Sequence, residues 1–261
     1  MNKFIKQCKA TDADKLSISG NTMVLVSKKY YGVYIQIHKT GKNVTFYTSG
    51  GKEFTCKLGV NFQELPFDFK IETEYIINEG KFNILELAQA DNEIKKVVKD
   101  NSFNLTGKFM IFDSIEFEQN ARHRLDDLQC FHFGDRDIFQ VVENIYVPYS
   151  FCKEELIRVQ GEGYEGLVAK KPSHMHIEGK KSTDSFKIKP YYSVDIPITS
   201  VVKKMLWCTD KEGRIAKVSV GKDVLEFAKV GDIVEVKYEQ IHKTYVQAVY
   251  IRHRFDKMEV N

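Results

Sequence analysis

Apolar and polar positions alternate in the first part of the chain. Val33, Ile35 and Ile37 are separated by single residues, which is the period of a half-buried strand. A turn at 39–42, followed by a β-rich run at 43–48, predicts a hairpin. The same reasoning predicts further strands at 69–77, 108–113, 141–147 and 166–170.

Helical spacing occurs twice between these strands. Residues 118–129 have leucines three positions apart, and residues 153–160 lie between Ser150 and Gly161, which are typical helix boundaries. Strands and helices in this order predict an α+β domain, with mostly antiparallel sheets and flanking helices.

The pattern changes near Pro190, where helical spacing ends. Short β-like runs separated by glycines follow, at 198–207, 214–220, 233–238 and 245–252. Several short strands with glycine turns predict a small β-barrel, and the oligonucleotide-binding (OB) fold is the natural candidate at this size. We therefore predict two domains, 1–195 and 196–261.

Composition places the chain among ordinary globular proteins. Of 261 residues, 43% are hydrophobic and 29% are charged, which argues against a disordered or collagen-like chain. No apolar run approaches the roughly 20 residues of a membrane-spanning helix, so we expect no membrane association. The N-terminal residues lack the apolar core of a signal peptide, so we expect a cytoplasmic protein, or a nuclear one in a eukaryotic host.

Cysteine spacing and the distribution of charge bear on metal sites, disulfides and binding partners. The five cysteines lie far apart and form no Cys-x-x-Cys pair, so we expect thiols rather than a zinc site or a disulfide framework. The net charge is only +3, but residues 196–261 hold 12 Lys and Arg against 9 Asp and Glu. A mildly basic C-terminal part fits contact with a phosphate backbone.

Four short segments in a fixed order carry the candidate chemistry: 29–32 (Lys-Tyr-Tyr-Gly), 165–170 (Glu-Gly-Leu-Val-Ala-Lys), 187–189 (Lys-Ile-Lys) and 254–257 (Arg-Phe-Asp-Lys). Each one alone is typical of a solvated surface or a loop. In this order they resemble the motif series of covalent nucleotidyltransferases, the superfamily of ATP-dependent DNA ligases, RNA ligases and mRNA capping enzymes. The resemblance covers nearly the whole chain and is strongest to ATP-dependent DNA ligases of the small viral or phage type.

The resemblance implies covalent catalysis by Lys29, which matches the lysine that accepts AMP from ATP. A lysine amine attacks phosphorus only when it is neutral, so nearby cations and desolvation must favour that form. A strand through 184–190 would place Lys187 and Lys189 on one face, two residues apart. They match the lysines that meet the α-phosphate in the family.

The nucleotide and metal contacts are also implied by the resemblance. Glu165 matches the residue that holds Mg²⁺ or Mn²⁺, a cation that offsets charge on the triphosphate. Glu74 would accept hydrogen bonds from the ribose hydroxyls, and Phe112 would stack on the purine. Val168 belongs to the same nucleotide-binding set.

The C-terminal motif implies a third group of site residues on the OB domain. In the family this motif is thought to swing over the active site and orient the pyrophosphate leaving group. Arg254 and Lys257 suit that task because they are phosphate-binding cations, and Asp256 shares it.

Three residues depart from the family pattern. Tyr31 replaces an Asp or Asn, Tyr34 replaces an Arg that follows the nucleophile, and Ser49 replaces an Arg of a neighbouring motif. The missing arginines commonly engage ribose or nick phosphates, so strand preference at the nick stays open between DNA and RNA. Three lysines are candidates to supply part of the lost charge: Lys28, Lys42 and Lys52.

We expect an ATP-dependent polynucleotide ligase that acts on nicked duplex DNA as a monomer, in DNA replication, repair or recombination. It would seal a 5′-phosphate to a 3′-hydroxyl through a lysyl-AMP intermediate and an adenylylated 5′ end. The alternatives are an mRNA capping guanylyltransferase, which would use GTP, an RNA ligase, and a catalytically inactive nucleic-acid-binding relative.

Overall fold

The computed structural model describes residues 3–56, 65, 67–115, 117–130 and 137–257. The chain divides into two units, Met1–Ile188 and Lys189–Asn261. Within the described ranges, no helix is long and apolar enough to cross a lipid bilayer.

The first unit interleaves strands and helices. Its strands in the described ranges are β1 (Lys9–Asp12), β2 (Met23–Lys29), β3 (Val33–Thr40), β4 (Asn43–Thr48), β5 (Glu53–Phe54), β6 (Phe69–Ile76), β7 (Lys108–Ser114), β8 (Phe139–Val141), β9 (Ile145–Pro148), β10 (Gly166–Lys170) and β11 (Lys181–Ile188). Its α-helices are α1 (Ile84–Lys99), α2 (Ala121–Cys130) and α3 (Cys152–Gly161), and 3-10 turns occur at Ala13–Lys15 and Tyr149–Phe151.

These strands form two sheets. Sheet A has the order β5-β4-β3-β6-β7-β8, and sheet B has the order β1-β11-β10-β2-β9. Paired strands are antiparallel except in β1–β11 and β7–β8, which are parallel. The predicted mixture of mostly antiparallel sheets and helices is therefore confirmed for this unit.

Each sheet has its own apolar core. The core of sheet A joins strand residues such as Ile35 to Ile94 of α1 and Leu125 of α2. The core of sheet B joins Leu167 of β10 to Val159 of α3. Full burial of one such side chain is worth roughly 2 kcal/mol, so these contacts hold the helices against the sheets.

Strand β3 is buried on both faces, although its alternation predicts one exposed face. Ile35 and Ile37 are buried, and so are Gln36 and His38. Gln36 Nε2 donates to the Ile5 carbonyl at 2.5 Å, and Gln36 Oε1 lies 3.2 Å from His38 Nε2. Hydrogen bonds inside the protein thus serve the Gln36 amide and the Nε2 atom of His38, which would otherwise need water.

The predicted single strand at 141–147 is wrong. β8 ends at Val141 in sheet A, and β9 begins at Ile145 in sheet B. Between them the Asn144 side chain donates to the Val142 carbonyl at 2.8 Å. An asparagine that bonds to the backbone two residues away favours a turn over a continuous strand.

Helix α1 was not predicted from the sequence. Its N-cap is Asn83, whose side chain accepts from the backbone N–H of Leu85 at 3.0 Å. Its buried face includes Ala90, Ile94 and Val97, spaced four and three residues apart. Both signals were present in the sequence, and the predictions at 118–129 and 153–160 correspond to α2 and α3.

The second unit is built mainly of short strands. In the described range they are β12 (Tyr192–Val202), β13 (Met205–Thr209), β14 (Ile215–Ser219), β15 (Ile233–Tyr238), β16 (Gln240–Ile241), β17 (Tyr245–Val246) and β18 (Val249–His253). Helix α4 (Lys222–Leu225) and a 3-10 turn (Phe255–Lys257) complete it. Sheet C has the order β14-β13-β12-β15-β18, and β16 pairs with β17.

Three expectations for this unit differ from the structure. The run predicted at 245–252 is divided between β17, which pairs with β16, and β18, which lies at the edge of sheet C. The run predicted at 198–207 is a hairpin of β12 and β13, which turns at Lys203 with a φ of 54°. The unit begins at Lys189 rather than at residue 196. The physical reason is that β12 pairs with β15 from Tyr192 onward, so the residues before 196 already belong to sheet C.

Candidate functional site

Lys29 and Glu165 form an ion pair at the end of two neighbouring strands. Lys29 is the last residue of β2 and lies opposite Gly166, the first residue of β10. Its Nζ donates to Glu165 Oε2 at 2.5 Å, and the Glu165 side chain is only 5% exposed. The structure thus brings the predicted nucleophile and the predicted metal ligand into direct contact.

A second ion pair lies beside the first. Lys28 Nζ donates to Glu162 Oε2 at 2.7 Å and lies 4.4 Å from the centre of the Tyr164 ring. Successive side chains of a strand point to opposite faces, so Lys28 and Lys29 are directed to different sides of β2. The chain therefore contains two adjacent Lys–Glu pairs, one at the predicted site and one next to it.

Glu74 joins the Lys29 pair from sheet A. Its Oε1 accepts from the Gly32 backbone N–H at 3.2 Å. Position 32 requires glycine, because an added Cβ would lie 2.3 Å from the Tyr75 carbonyl oxygen. Burial raises the pKa of Glu74 to about 7; Lys29 opposes this shift and Glu165 adds to it. Lys29, Glu74 and Glu165 therefore act on one another electrostatically.

The raised pKa of Glu74 makes stability depend on pH. The folded protein binds this proton more tightly than the unfolded chain, so stability is lost as pH rises from about 4.5 to about 7. Glu74→Gln should remove that loss, and its stability relative to the unsubstituted protein should rise by roughly 3 kcal/mol over this range. Urea unfolding at each pH measures it; parallel stability curves for the two proteins would contradict the assignment.

Val168 and Lys187 lie opposite each other on β10 and β11. Lys187 Nζ lies 3.1 Å from Asp12 Oδ1 at the end of β1. Burial alone would raise the pKa of Asp12, but hydrogen bonds from Lys15 and Lys187 outweigh it and lower that pKa to about 2. Asp12 was not singled out in the sequence, where no local pattern connects it to Lys187.

Phe112 is half-buried on β7 and packs against Ile76, Met110 and Val142. Its ring centre lies 6.2 Å from that of Tyr34, one of the residues that depart from the family pattern. Phe112 on β7, Glu74 on β6 and Tyr34 on β3 all lie in sheet A. Tyr34 is the cross-strand neighbour of Glu74.

The three residues that differ from the family pattern, Tyr31, Tyr34 and Ser49, have different surroundings. Tyr34 donates to Glu72 Oε1 at 2.5 Å, and burial beside that carboxylate raises the pKa of Tyr34, which keeps it a neutral donor. The Tyr31 ring packs on Phe82 with centres 4.3 Å apart. Ser49 is exposed in the turn that follows β4. None of the three supplies the positive charge of an arginine.

In the second unit, the C-terminal motif converges on one carboxylate. Arg254 Nη1 donates to both carboxylate oxygens of Asp195 at 2.7 Å, and Lys257 Nζ donates to Asp195 at 2.6 Å. Arg254 also binds Asp256 through its Nε at 2.9 Å. Hydrogen bonding by Lys257 lowers the pKa of Asp195. Asp195 was not singled out in the sequence.

Lys189 is held separately from this group. Strand β11 ends at Ile188, so Lys189 is not part of the strand predicted to present it together with Lys187. Its Nζ donates to both carboxylate oxygens of Glu239 at 3.0 Å, and both side chains are nearly buried. Glu239 lies 50 residues away in the sequence, so no local pattern predicts the pair.

The carboxylates around Lys29 fit a hard divalent cation that is bound together with phosphate. Glu165 and Glu74 offer oxygen donors, which Mg²⁺ and Mn²⁺ prefer. Among the described residues, no group of three or more His, Cys, Asp or Glu side chains could hold a metal ion by itself. Mg²⁺ commonly binds through one or two carboxylates plus substrate phosphates, so these donors suit it.

Comparison with solved structures shows a shared fold. A structure from an analysis of Lig E DNA ligases gives a TM-score of 0.74 at 17% identity and covers 96% of this chain and 100% of that chain. The ATP-dependent DNA ligase of bacteriophage T7, in complex with ATP, gives 0.53 at 13% identity, covering 95% and 98%. A chlorella virus DNA ligase–adenylate gives 0.51 at 14% identity, covering 96% and 98%.

Comparison of sequences identifies the family. No curated protein sequence matches the chain. The family model described as the ATP dependent DNA ligase domain matches residues 5–189, well over half of the chain. This match spans both sheets of the first unit, which is therefore a nucleotidyltransferase-type ligase domain. The chain belongs to the family of ATP-dependent DNA ligase domains.

Proposed function

We propose that this protein seals nicks in duplex DNA in an ATP-dependent reaction with Lys29 as the nucleophile. The observation that carries the proposal is the convergence of Lys29, Glu165 and Glu74 at the meeting point of sheets A and B. Lys29 would take AMP from ATP, AMP would pass to the 5′-phosphate at the nick, and the 3′-hydroxyl would displace it. Each step is an in-line displacement at phosphorus, in which positioning and charge neutralisation supply most of the catalysis.

The ion pair between Lys29 and Glu165 sets the first requirement. An ammonium group that is paired with a carboxylate has no lone pair for attack on phosphorus, so Lys29 must give up a proton before it can react. Engagement of Glu165 by a divalent cation would release Lys29. When bound, Mg²⁺ or Mn²⁺ would offset negative charge on the phosphates.

The nucleotide would be bound by residues of both sheets of the first unit. Glu74 would accept from the ribose hydroxyls when ionised, and Phe112 would stack on the purine. Val168 would line the nucleotide site, and Lys187 would meet the α-phosphate together with Lys189. Tyr34 is neutral and stands where the family has an arginine that engages ribose or nick phosphates. A lysine such as Lys28 would make that contact with the nick instead.

We propose that the second unit is an OB fold. Its sheet order, with the first strand β12 between β13 and β15, and a helix between β14 and β15, supports a five-stranded barrel of this type. Arg254, Asp256 and Lys257 would orient the pyrophosphate leaving group. Their charges fit this task once phosphate replaces Asp195 as the partner of the two cations.

The substrate would be held largely through its phosphate backbone. The protein would act on nicked DNA as a monomer, and sealing should weaken steeply with added salt because each phosphate contact releases counterions. This part of the proposal is supported by the family membership and by the basic C-terminal composition.

The experiment that tests the proposal is covalent labelling followed by sealing. Purified protein is incubated with Mg²⁺ and either α-labelled ATP or α-labelled GTP, then denatured and inspected for label. Label from ATP, followed by sealing of a nicked DNA duplex, is expected. Label from GTP would favour a capping reaction. Sealing of RNA nicks alone would favour an RNA ligase. Absence of label on protein that was first treated to remove any bound AMP would indicate an inactive relative.

A further inference from the structure

Phe112 lies at an irregularity in sheet A. Asp113 and Ile111 face consecutive residues of β6, so Phe112 between them is the extra residue of a β-bulge. On the opposite side, β8 ends with Val141, the partner of Ile111. Bulges interrupt the regular ladder and change the direction of a side chain. The position of Phe112 therefore depends on contacts other than regular strand pairing.

Lys170 supplies such contacts. Its Nζ donates to the Phe112 carbonyl oxygen at 2.9 Å and lies 5.7 Å from the centre of the Phe112 ring. A cation at that distance from an aromatic ring is attracted to it. One ammonium group thus contacts both the backbone and the ring of the bulged residue.

Lys170 is itself fixed by a buried charge cluster. Its Nζ also donates to Asp113 Oδ2 at 2.8 Å, and Arg124 binds the same carboxylate through two nitrogens at 2.9 and 3.2 Å. The Arg124 side chain is fully buried, and it also donates to the Gln119 carbonyl at 2.7 Å. Buried, charge-assisted hydrogen bonds of this kind have a defined geometry.

These contacts cross from one sheet to the other. Lys170 is the last residue of β10 in sheet B, the sheet that carries Lys29 and Lys187. Phe112 lies in sheet A, the sheet that carries Glu74. Lys170 therefore connects the strands that hold the phosphate chemistry with the strand that holds the stacking residue.

We propose that Lys170 is a positioning residue that sets the placement of Phe112, and through it the placement of the purine of ATP, relative to Lys29. The inference rests on the proposed function. Lys170 contacts no reacting atom in this arrangement; it acts through Phe112. A stacking contact with the purine is made equally before and during the reaction, so weakening it should raise the KM for ATP more than it lowers the maximal rate.

The chain offers a matched control at Lys39. Lys39 is also a buried lysine: its Nζ donates to the Phe67 carbonyl at 3.0 Å and lies 3.8 Å from Asp68 Oδ1. Lys170→Met and Lys39→Met both remove a buried ammonium from a backbone carbonyl and a carboxylate, but only the first touches Phe112. General loosening of the fold would affect both variants alike.

The test measures self-labelling by α-labelled ATP over a range of ATP concentrations, with thermal unfolding of each variant alongside. Lys170→Met is expected to raise the KM for ATP about tenfold with a maximal rate within about threefold, whereas Lys39→Met should leave the KM within about twofold. Sealing of a nicked duplex that already carries a 5′-adenylate should be unchanged in Lys39→Met. Equal changes in KM for the two variants, or none for Lys170→Met, overturn the inference.

A double-mutant cycle tests whether Lys170 acts through Phe112. In a Phe112→Leu background, Lys170→Met should raise the KM no further, because the residue that it positions is absent; additive effects would overturn the inference. If Lys170→Met does not fold, Lys170→Arg takes its place in the cycle, because arginine keeps the charge beside Asp113. The KM for ATP of Lys170→Arg is expected to rise about threefold. An unsubstituted protein that takes no label overturns the proposed function instead, and this inference with it.

Discussion

Lys29→Ala should abolish covalent labelling by ATP, with a fall in the labelling rate of at least about a thousandfold. Alanine offers no nucleophile in its place, and the other lysines of the site have different positions and different carboxylate partners. Lys187, for example, is paired with Asp12 at 3.1 Å. The measurement is label retained on denatured protein after incubation with Mg²⁺ and α-labelled ATP.

Lys28→Ala is the matched control for this result. Lys28 is the neighbouring residue on β2 and is also paired with a glutamate, Glu162, at 2.7 Å. The Lys28→Ala variant should keep at least about half of the labelling rate, because the Lys28 side chain is directed to the other face of the strand. Sealing of a nicked duplex should weaken more than labelling if Lys28 contacts the nick. Undiminished labelling in Lys29→Ala would exclude Lys29 as the nucleophile.

Glu165→Gln should slow labelling by about a hundredfold or more. Glutamine keeps the shape of the side chain but loses the charge that attracts a divalent cation. It also removes the ion pair of Lys29, so loss of activity would show that the carboxylate does more than restrain the nucleophile. The rate is measured under single-turnover conditions at several Mg²⁺ concentrations, and added Mg²⁺ should recover part of it.

Glu162→Gln is the matched control for Glu165→Gln, because it removes the same charge from a neighbouring position. Glu162 is three residues before Glu165 and is paired with Lys28 in the same manner, but it lies outside the Lys29 and Glu74 group. Its substitution should change the labelling rate by less than about threefold. Equal losses in the two variants would point to an electrostatic effect of the whole surface instead of a specific role for Glu165.

One feature is common to the cations predicted to meet phosphate: each is paired with a carboxylate of this chain. The pairs are Lys29–Glu165, Lys187–Asp12, Lys189–Glu239, Arg254–Asp195 and Lys257–Asp195. Such pairing prevents like charges from repelling one another in the unliganded protein. Phosphates would have to compete with these carboxylates, which lowers affinity but keeps the cations in place.

Local sequence patterns were sufficient for elements whose signal lies within one segment. The alternation at 33–38 with the turn at 39–42 predicted the hairpin of β3 and β4, and the glycine after 153–160 marked the end of α3. The predicted strand at 141–147 failed because Val141 and Ile145 belong to different sheets, a division that depends on distant partners. Helix α1 was missed although its cap and its buried spacing are local signals.

The order of the motifs along the chain indicated the family, and with it the candidate nucleophile Lys29 and the candidate metal ligand Glu165. Only the tertiary structure decided how charges are paired, because residues such as Lys29 and Glu165 lie 136 positions apart and meet through strand register. The raised pKa of Glu74 likewise follows from burial between distant strands. Residue types and local spacing follow from the sequence alone, whereas burial and long-range contact exist only after the sheets have formed.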